Sequence, residues 1–95
     1  MRTTDFIKLI SSHIEKEMST ADERELLRIT ADSREVDEKT VFFCIKGAKA
    51  DGHDFAEQVI QKNAGLVVGE KDLKIERYIR VNSVKEVLKL ISPVF

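Results

Sequence analysis

Ninety-five residues and 10.8 kDa give one domain with a single core, too short for two lobes enclosing a cleft, which excludes most complete two-substrate enzymes. Hydrophobic residues at 42% and charged residues at 35%, with four Gly, one Pro and no Trp, exclude disorder, collagen and a membrane-spanning chain. Residues 1–40 carry seven basic and ten acidic side chains and residues 41–95 nine and seven, so neither half has the concentrated basic stripe of a nucleic-acid binder, and the formal net charge is -1.

Thr3 or Thr4 is placed to cap a first helix, and Phe6, Ile7, Ile10, Ile14 and Met18 recur at a spacing that predicts one helical face from Asp5 to Glu17 or Met18. After a polar stretch, Leu27, Ile29 and Ala31 alternate with Arg28, Thr30 and Asp32, the pattern of a half-buried strand ending near Ser33. Arg34 to Lys39 lacks apolar periodicity and predicts a solvated connection. Val41-Phe42-Phe43-Cys44-Ile45 is a continuous apolar run, which predicts a central strand covered on both faces.

Gly47 to Gly52 predicts a loop, after which Asp51 or Asp54 caps a second helix with Phe55, Ala56, Val59 and Ile60 on its apolar face and Asn63-Ala64-Gly65 as its stop. Leu66-Val67-Val68 and Tyr78-Ile79-Arg80-Val81 read as two more strands. Ser83-Val84-Lys85-Glu86 has the capping-box pattern that opens a third helix, which ends before Pro93. The order helix–strand–strand–helix–strand–strand–helix predicts an α/β fold: a small mixed or mostly parallel sheet of about four strands covered by helices, one domain over 1–95.

Few residues carry a chemical signal. Two glycines five apart, in Gly47-Ala48-Lys49-Ala50-Asp51-Gly52-His53-Asp54, have the spacing of a phosphate loop, but His53 and Asp54 stand where Lys and Ser or Thr are needed, and Asp51 repels an anion. The plainer expectation is that both glycines adopt left-handed conformations in a tight loop. His13 and His53 lie far apart in sequence, and no spacing demands a metal site. Asp32-Ser33-Arg34 sits at a strand end, where ligand contacts and turn-stabilising side chains both occur. Cys44 is single among apolar neighbours, which predicts a packed thiol and fits a reducing cytoplasm, and the N-terminus lacks a signal-peptide pattern. Residue types and spacing predict binding in preference to catalysis.

Ile29 to Val36, Val41 to Gly47, Asp51 to Phe55 and Asn63 to Val68, in that order and at these separations, resemble the N-terminal domain of the Mur ligases. The pattern is most similar to the MurE type, which adds the third peptide residue to UDP-N-acetylmuramoyl-L-alanyl-D-glutamate, with the MurF type next. The resemblance covers roughly Leu27 to Leu90. It implies a cytoplasmic domain that holds the uridine end of that substrate, within a parent ATP-dependent acid–amino-acid ligase of peptidoglycan synthesis. The parent's ATP, magnesium and catalytic residues would belong to a central and a C-terminal domain, leaving none in this chain. It further implies a uracil pocket at Ala31, Ser33, Ala48, Lys49 and Ala50, with Asp32, Arg34, Gly47, Asp51, Gly52 and His53 supporting the two loops. Glu38-Lys39-Thr40 replaces the family's usual Pro-Gly-Asp turn, which implies a weaker or different turn there, and Ala48 is smaller than the residue some relatives place against the base. Two alternatives stay open: a regulatory ligand-sensing module resembling the N-terminal domain of the HPr kinases, and a scaffold that binds protein through an unpaired edge at Leu66–Val68 or Tyr78–Val81.

Overall fold

The computed structural model describes residues 1–95 and contains five strands and three α-helices. In chain order these are α1 (Thr3–Leu9), β1 (Ile14–Met18), β2 (Arg28–Thr30), β3 (Thr40–Phe43), α2 (Ala56–Gln61), β4 (Leu66–Gly69), β5 (Tyr78–Val81) and α3 (Val84–Ile91). They form one sheet in the order β1-β5-β4-β3-β2, parallel from β2 to β5, with β1 antiparallel on the β5 edge.

The continuous apolar runs are explained by a core on each face of this sheet. Val41 and Phe43 of β3, Leu66 and Val68 of β4 and Ile79 and Val81 of β5 pack with Phe6 and Ile10 of the N-terminal segment and Val84, Val87 and Ile91 of α3. Phe42, Cys44, Val67 and Tyr78 point the other way, against Ala56 and Val59 of α2. The Cys44 thiol is 2% exposed, and burial, followed by the nearby Asp51 charge, pushes it up to about 12, so it is a packing group. No helix is long and apolar enough to cross a membrane.

The first helix is the main departure from the sequence expectation. It ends at Leu9, and Ile14 to Met18 form a strand instead. Residues four apart share a face in both a helix and a strand, so Ile14 and Met18 satisfy either pattern. A register shift between Ile14 and Lys16 then separates them: Ile14 joins the α1/α3 core and Met18 the α2 core. Neither Thr3 nor Thr4 caps α1. Its N-cap is Arg2, and Glu23 supplies the missing acceptor from nineteen residues away, taking the Thr4 amide at 2.8 Å and the Thr4 hydroxyl. Those bonds hold the Glu23 carboxyl below its ordinary value.

Leu27 is 49% exposed and Ala31 is exposed, and the inward residue beside β2 is Leu26 at 1%. The N-cap of α2 is Phe55, while Asp51 caps the short 3-10 turn Gly52–Phe55 that precedes it. Asn63, at φ 68, takes the left-handed position after α2. Arg77, 7% exposed, donates from Nε to the Ala64 carbonyl at 3.0 Å and from Nη2 to Ile60 at 3.3 Å, holding the end of α2. Ser83 caps α3 as expected, accepting the Glu86 amide at 3.2 Å, but the Glu86 carboxylate turns to Lys89 and does not close the box. β4 and β5 each pair on both sides, so neither supplies the unpaired edge that a strand-adding scaffold needs.

Candidate functional site

Parallel strands end together, so the turns that follow β2 and β3 emerge side by side at the carboxyl edge of the sheet. Between them lies a slot of about 890 Å3. Thr30, Ala31, Asp32, Ser33 and Arg34 form one wall, Ile45, Gly47, Ala50 and Gly52 the other, and Phe55 and Gln58 close the side toward α2.

The first wall is fastened locally. Asp32 Oδ1 accepts the Arg34 amide at 2.9 Å and Arg34 Nε at 3.0 Å, and Oδ2 accepts Nη2 at 2.8 Å. This paired geometry pulls the Asp32 carboxyl down to about 2 from an ordinary 3.8, the Arg34 side chain contributing most and its amide next. Ser33 meets the rest of the protein through its carbonyl, which accepts Lys62 Nζ at 3.2 Å, and its half-buried hydroxyl makes no bond to the chain.

The second wall is a hairpin closed by Gly47 N–H to Ala50 O at 2.8 Å and Gly52 N–H to Ile45 O at 2.8 Å. The amides of Ala48, Lys49 and Ala50 donate to nothing in the chain. Contrary to the expectation of left-handed glycines, neither Gly47 nor Gly52 has positive φ. Gly52 is needed for close approach: a Cβ there would lie 2.6 Å from the Ile45 nitrogen.

Asp51 and His53 anchor the hairpin from behind. Asp51 Oδ1 lies 2.6 Å from His53 Nδ1, and Oδ2 accepts Lys71 Nζ at 2.5 Å. Lys71 first, then the His53 amide and ring, hold the Asp51 carboxyl far below the usual carboxylate range. His53 Nε2 accepts the Glu70 amide at 2.9 Å, which leaves the ring proton on Nδ1, facing Asp51. The ring fits there because residue 69 is Gly, whose absent Cβ would sit 2.8 Å from Nε2. With Asp51 so engaged, and a short 3-10 turn in place of a long helix start, this loop does not fit the triphosphate of ATP.

Of the residues expected to form the pocket, Ala31, Ser33 and Ala50 line the slot, together with the supporting Asp32, Arg34, Gly47 and Gly52. Ala48 and Lys49 sit at the exposed hairpin tip and do not line it. Thr30, Ile45, Phe55 and Gln58 also line the slot, without a local signal in the sequence that marks them. The helical spacing of Phe55 predicts a place in the core of α2, whereas the residue is 37% exposed beside the slot. The Glu38-Lys39-Thr40 departure is made good by Asp37, whose Oδ1 accepts the Lys39 amide at 2.9 Å and the Thr40 hydroxyl at 2.8 Å. His13 is remote, 3.0 Å from Asn82 Oδ1, and no three His, Cys, Asp or Glu side chains are grouped to hold a metal ion.

Fold and slot thus define a small α/β domain with a ligand-sized opening at the carboxyl end of its parallel strands. Residues 25–93 match the family described as "Mur ligase family, catalytic domain". The chain belongs to the Mur ligase family, in the position of its N-terminal domain. It is 36% identical over 72 residues to the UDP-N-acetylmuramoyl-L-alanyl-D-glutamate–2,6-diaminopimelate ligase of Bacillus licheniformis, covering 75% of this chain and 15% of that protein. The ligase of the same name from Clostridium botulinum is 32% identical over 92 residues, covering 90% and 19%. Among solved structures, MurF ligase from Thermotoga maritima in complex with ADP aligns with TM-score 0.62 and 34% identity over 70% of this chain and 16% of that one. MurF from Acinetobacter baumannii, at 21% identity, shares the fold with TM-score 0.74 over 94% and 19%. The chain spans about a tenth of the length of the first curated relatives it matches.

Proposed function

We propose that this domain binds the uridine end of UDP-N-acetylmuramoyl-L-alanyl-D-glutamate as the substrate-holding part of a cytoplasmic, MurE-type ligase in peptidoglycan synthesis. The observation that carries this reading is the slot itself: two adjacent turns, one bearing a free serine hydroxyl and the other the uncommitted Ala50 amide, with Phe55 and Ile45 as apolar walls. A pyrimidine requires this combination, flat apolar sides with a few polar groups along its amide edge. Ser33 is the principal polar contact, and Ala31 and Ala50 admit the ring closely. Asp32, Arg34, Gly47, Asp51, Gly52 and His53 hold the two turns in place.

Chemistry in this reading occurs elsewhere in the ligase, where ATP and magnesium are used. Binding energy gathered at the uridine, remote from the reacting carboxylate, helps to orient that carboxylate for attack. The domain alone binds weakly and catalyses nothing. Titration of the 15N-labelled chain with UDP and with UDP-N-acetylmuramoyl-L-alanyl-D-glutamate tests this. The amides of Ser33 and of Gly47 to Ala50 should shift, and no perturbation there at millimolar ligand overturns the assignment.

A further inference from the structure

The His53 side chain, 7% exposed, is wedged between the hairpin and the end of β4. Nδ1 faces Asp51 Oδ1 at 2.6 Å, and Nε2 accepts the Glu70 amide at 2.9 Å and the Lys71 amide at 3.4 Å. Both acceptances use the Nε2 lone pair, so the arrangement requires a neutral ring. A proton on Nε2 would set a third donor against two backbone N–H groups, and the ring would have to leave them. The surrounding charges give that proton little support. Asp51 attracts it, but Lys71 Nζ already holds the other Asp51 oxygen at 2.5 Å. Glu70 Oε2 is taken by the Val84 amide at 2.7 Å, and the Asp54 charge acts on Lys71. Lys46 of the hairpin and Lys85 and Lys89 of α3 line the same cavity as the ring. Cys44 after β3 and Tyr78 of β5, whose hydroxyl donates to the Lys71 carbonyl at 2.5 Å, are kept uncharged by burial.

We infer that His53 is a positioning residue that couples the uridine slot to pH: the neutral ring holds the hairpin closed against the end of β4, and the protonated ring releases it. The inference rests on the uridine reading above for its ligand. Gly47, Ala50 and Gly52 line the slot from the hairpin, and Gly52 immediately precedes His53, so a ring displaced from Glu70 carries that wall with it. The opposite wall takes no part, because the Asp32 carboxyl, pulled down to about 2, stays ionised wherever histidine exchanges a proton. Linkage fixes the direction. The closed hairpin takes only the neutral ring and the released hairpin takes either form, so falling pH favours release and weakens the slot.

The test follows the 15N-labelled intact chain from about pH 8 to about pH 5, with uridine as ligand because it carries no titrating phosphate. As the His53 ring takes up its proton in its own NMR titration, the Glu70 amide should shift. The Gly47 and Gly52 amides should lose protection from exchange, after correction for the intrinsic pH dependence. Uridine affinity, read at Ser33 and Ala50, should fall roughly three- to tenfold, the scale of one hydrogen bond. All of these changes should share one midpoint. His53→Gln offers the Glu70 amide an oxygen that does not titrate, so it should stay closed and bind uridine equally across the range. His13→Gln, at the chain's other histidine, should keep the wild-type step. A ring that takes up its proton without moving the Glu70 amide or the hairpin, a flat uridine affinity in wild type, or a step that persists in His53→Gln overturns the switch and leaves the uridine reading intact. Failure of uridine to move Ser33 at any pH overturns the uridine reading and the coupling to ligand with it, while the Glu70 and hairpin amides still decide whether the ring controls the hairpin.

Discussion

The two turns that wall the slot are held in opposite ways. The turn after β2 is closed by its own neighbours: Thr30 Oγ1 accepts the Asp32 amide at 3.0 Å and donates to Glu35 at 3.1 Å, and Asp32 binds Arg34 through amide and guanidinium. Only Lys62 reaches it from a distance. The hairpin after β3 has two backbone bonds of its own and takes its remaining anchors from Glu70 and Lys71, about twenty residues downstream, through His53 and Asp51. One wall is therefore a local structure and the other a product of tertiary packing. The width of the slot follows from how the end of β4 meets the hairpin.

The strongest way to break that contrast is Gly52→Ala. The new Cβ would meet backbone, the Ile45 nitrogen at 2.6 Å and the Cys44 Cα at 3.0 Å, and backbone cannot yield as a side-chain tip does. A loss of about 2–3 kcal/mol is expected, which lowers the melting temperature by roughly 10–20 °C in a domain of this size. Hydrogen exchange should quicken at the Gly47 and Gly52 amides, whose bonds close the hairpin, and remain slow at Glu35, bonded to Asp32 O at 3.0 Å. An unchanged melting temperature would mean that the hairpin is not pinned against β3.

A smaller effect should follow from His53→Ala, which leaves Gly52 in place and removes the link to β4. The Glu70 amide loses its acceptor and Asp51 keeps Lys71, so a cost of about 1–2 kcal/mol in urea denaturation is expected. The same two hairpin amides should lose protection and the Glu35 amide should not. Equal loosening of both turns would show that they form one cooperative unit.

That division also explains what could be read from the sequence. The Asp32-Ser33-Arg34 turn, the Ser83 cap and the doubly covered β3 are local or periodic signals, and each appears where residue types placed it. Contacts made across the chain left no such trace. Glu23 capping α1, Arg77 closing α2 and Lys71 pairing with Asp51 all come from charged stretches whose composition fits any solvated link. β1 was hidden because Ile14 and Met18 fit a helical period equally well. The spacing of Phe55 from Val59 is helical and predicts a core position, yet Phe55 ends the 3-10 turn before α2 and lies beside the slot. Ala31, Ser33 and Ala50, which the family resemblance implies for a pocket, lie along the slot, whereas Ala48 and Lys49 lie outside it because the hairpin carries them to its exposed tip.

The finest test of the contrast uses pH. A carboxyl whose folded value is depressed stabilises the fold above its unfolded value, and that contribution disappears as pH falls through the folded one. For Asp32 the window lies between 3.8 and about 2, and the Arg34 side chain is its first cause. Arg34→Ala should therefore raise the Asp32 midpoint toward 3.8 in a carboxyl-detected NMR titration, with little change in melting temperature, because the pair is exposed and screened by solvent. Asp51, held low by Lys71 and His53, should not respond to that substitution. A parallel shift at Asp51 would mean that charge on the first turn reaches the second across the slot, and the two walls would then have to be treated as one electrostatic unit.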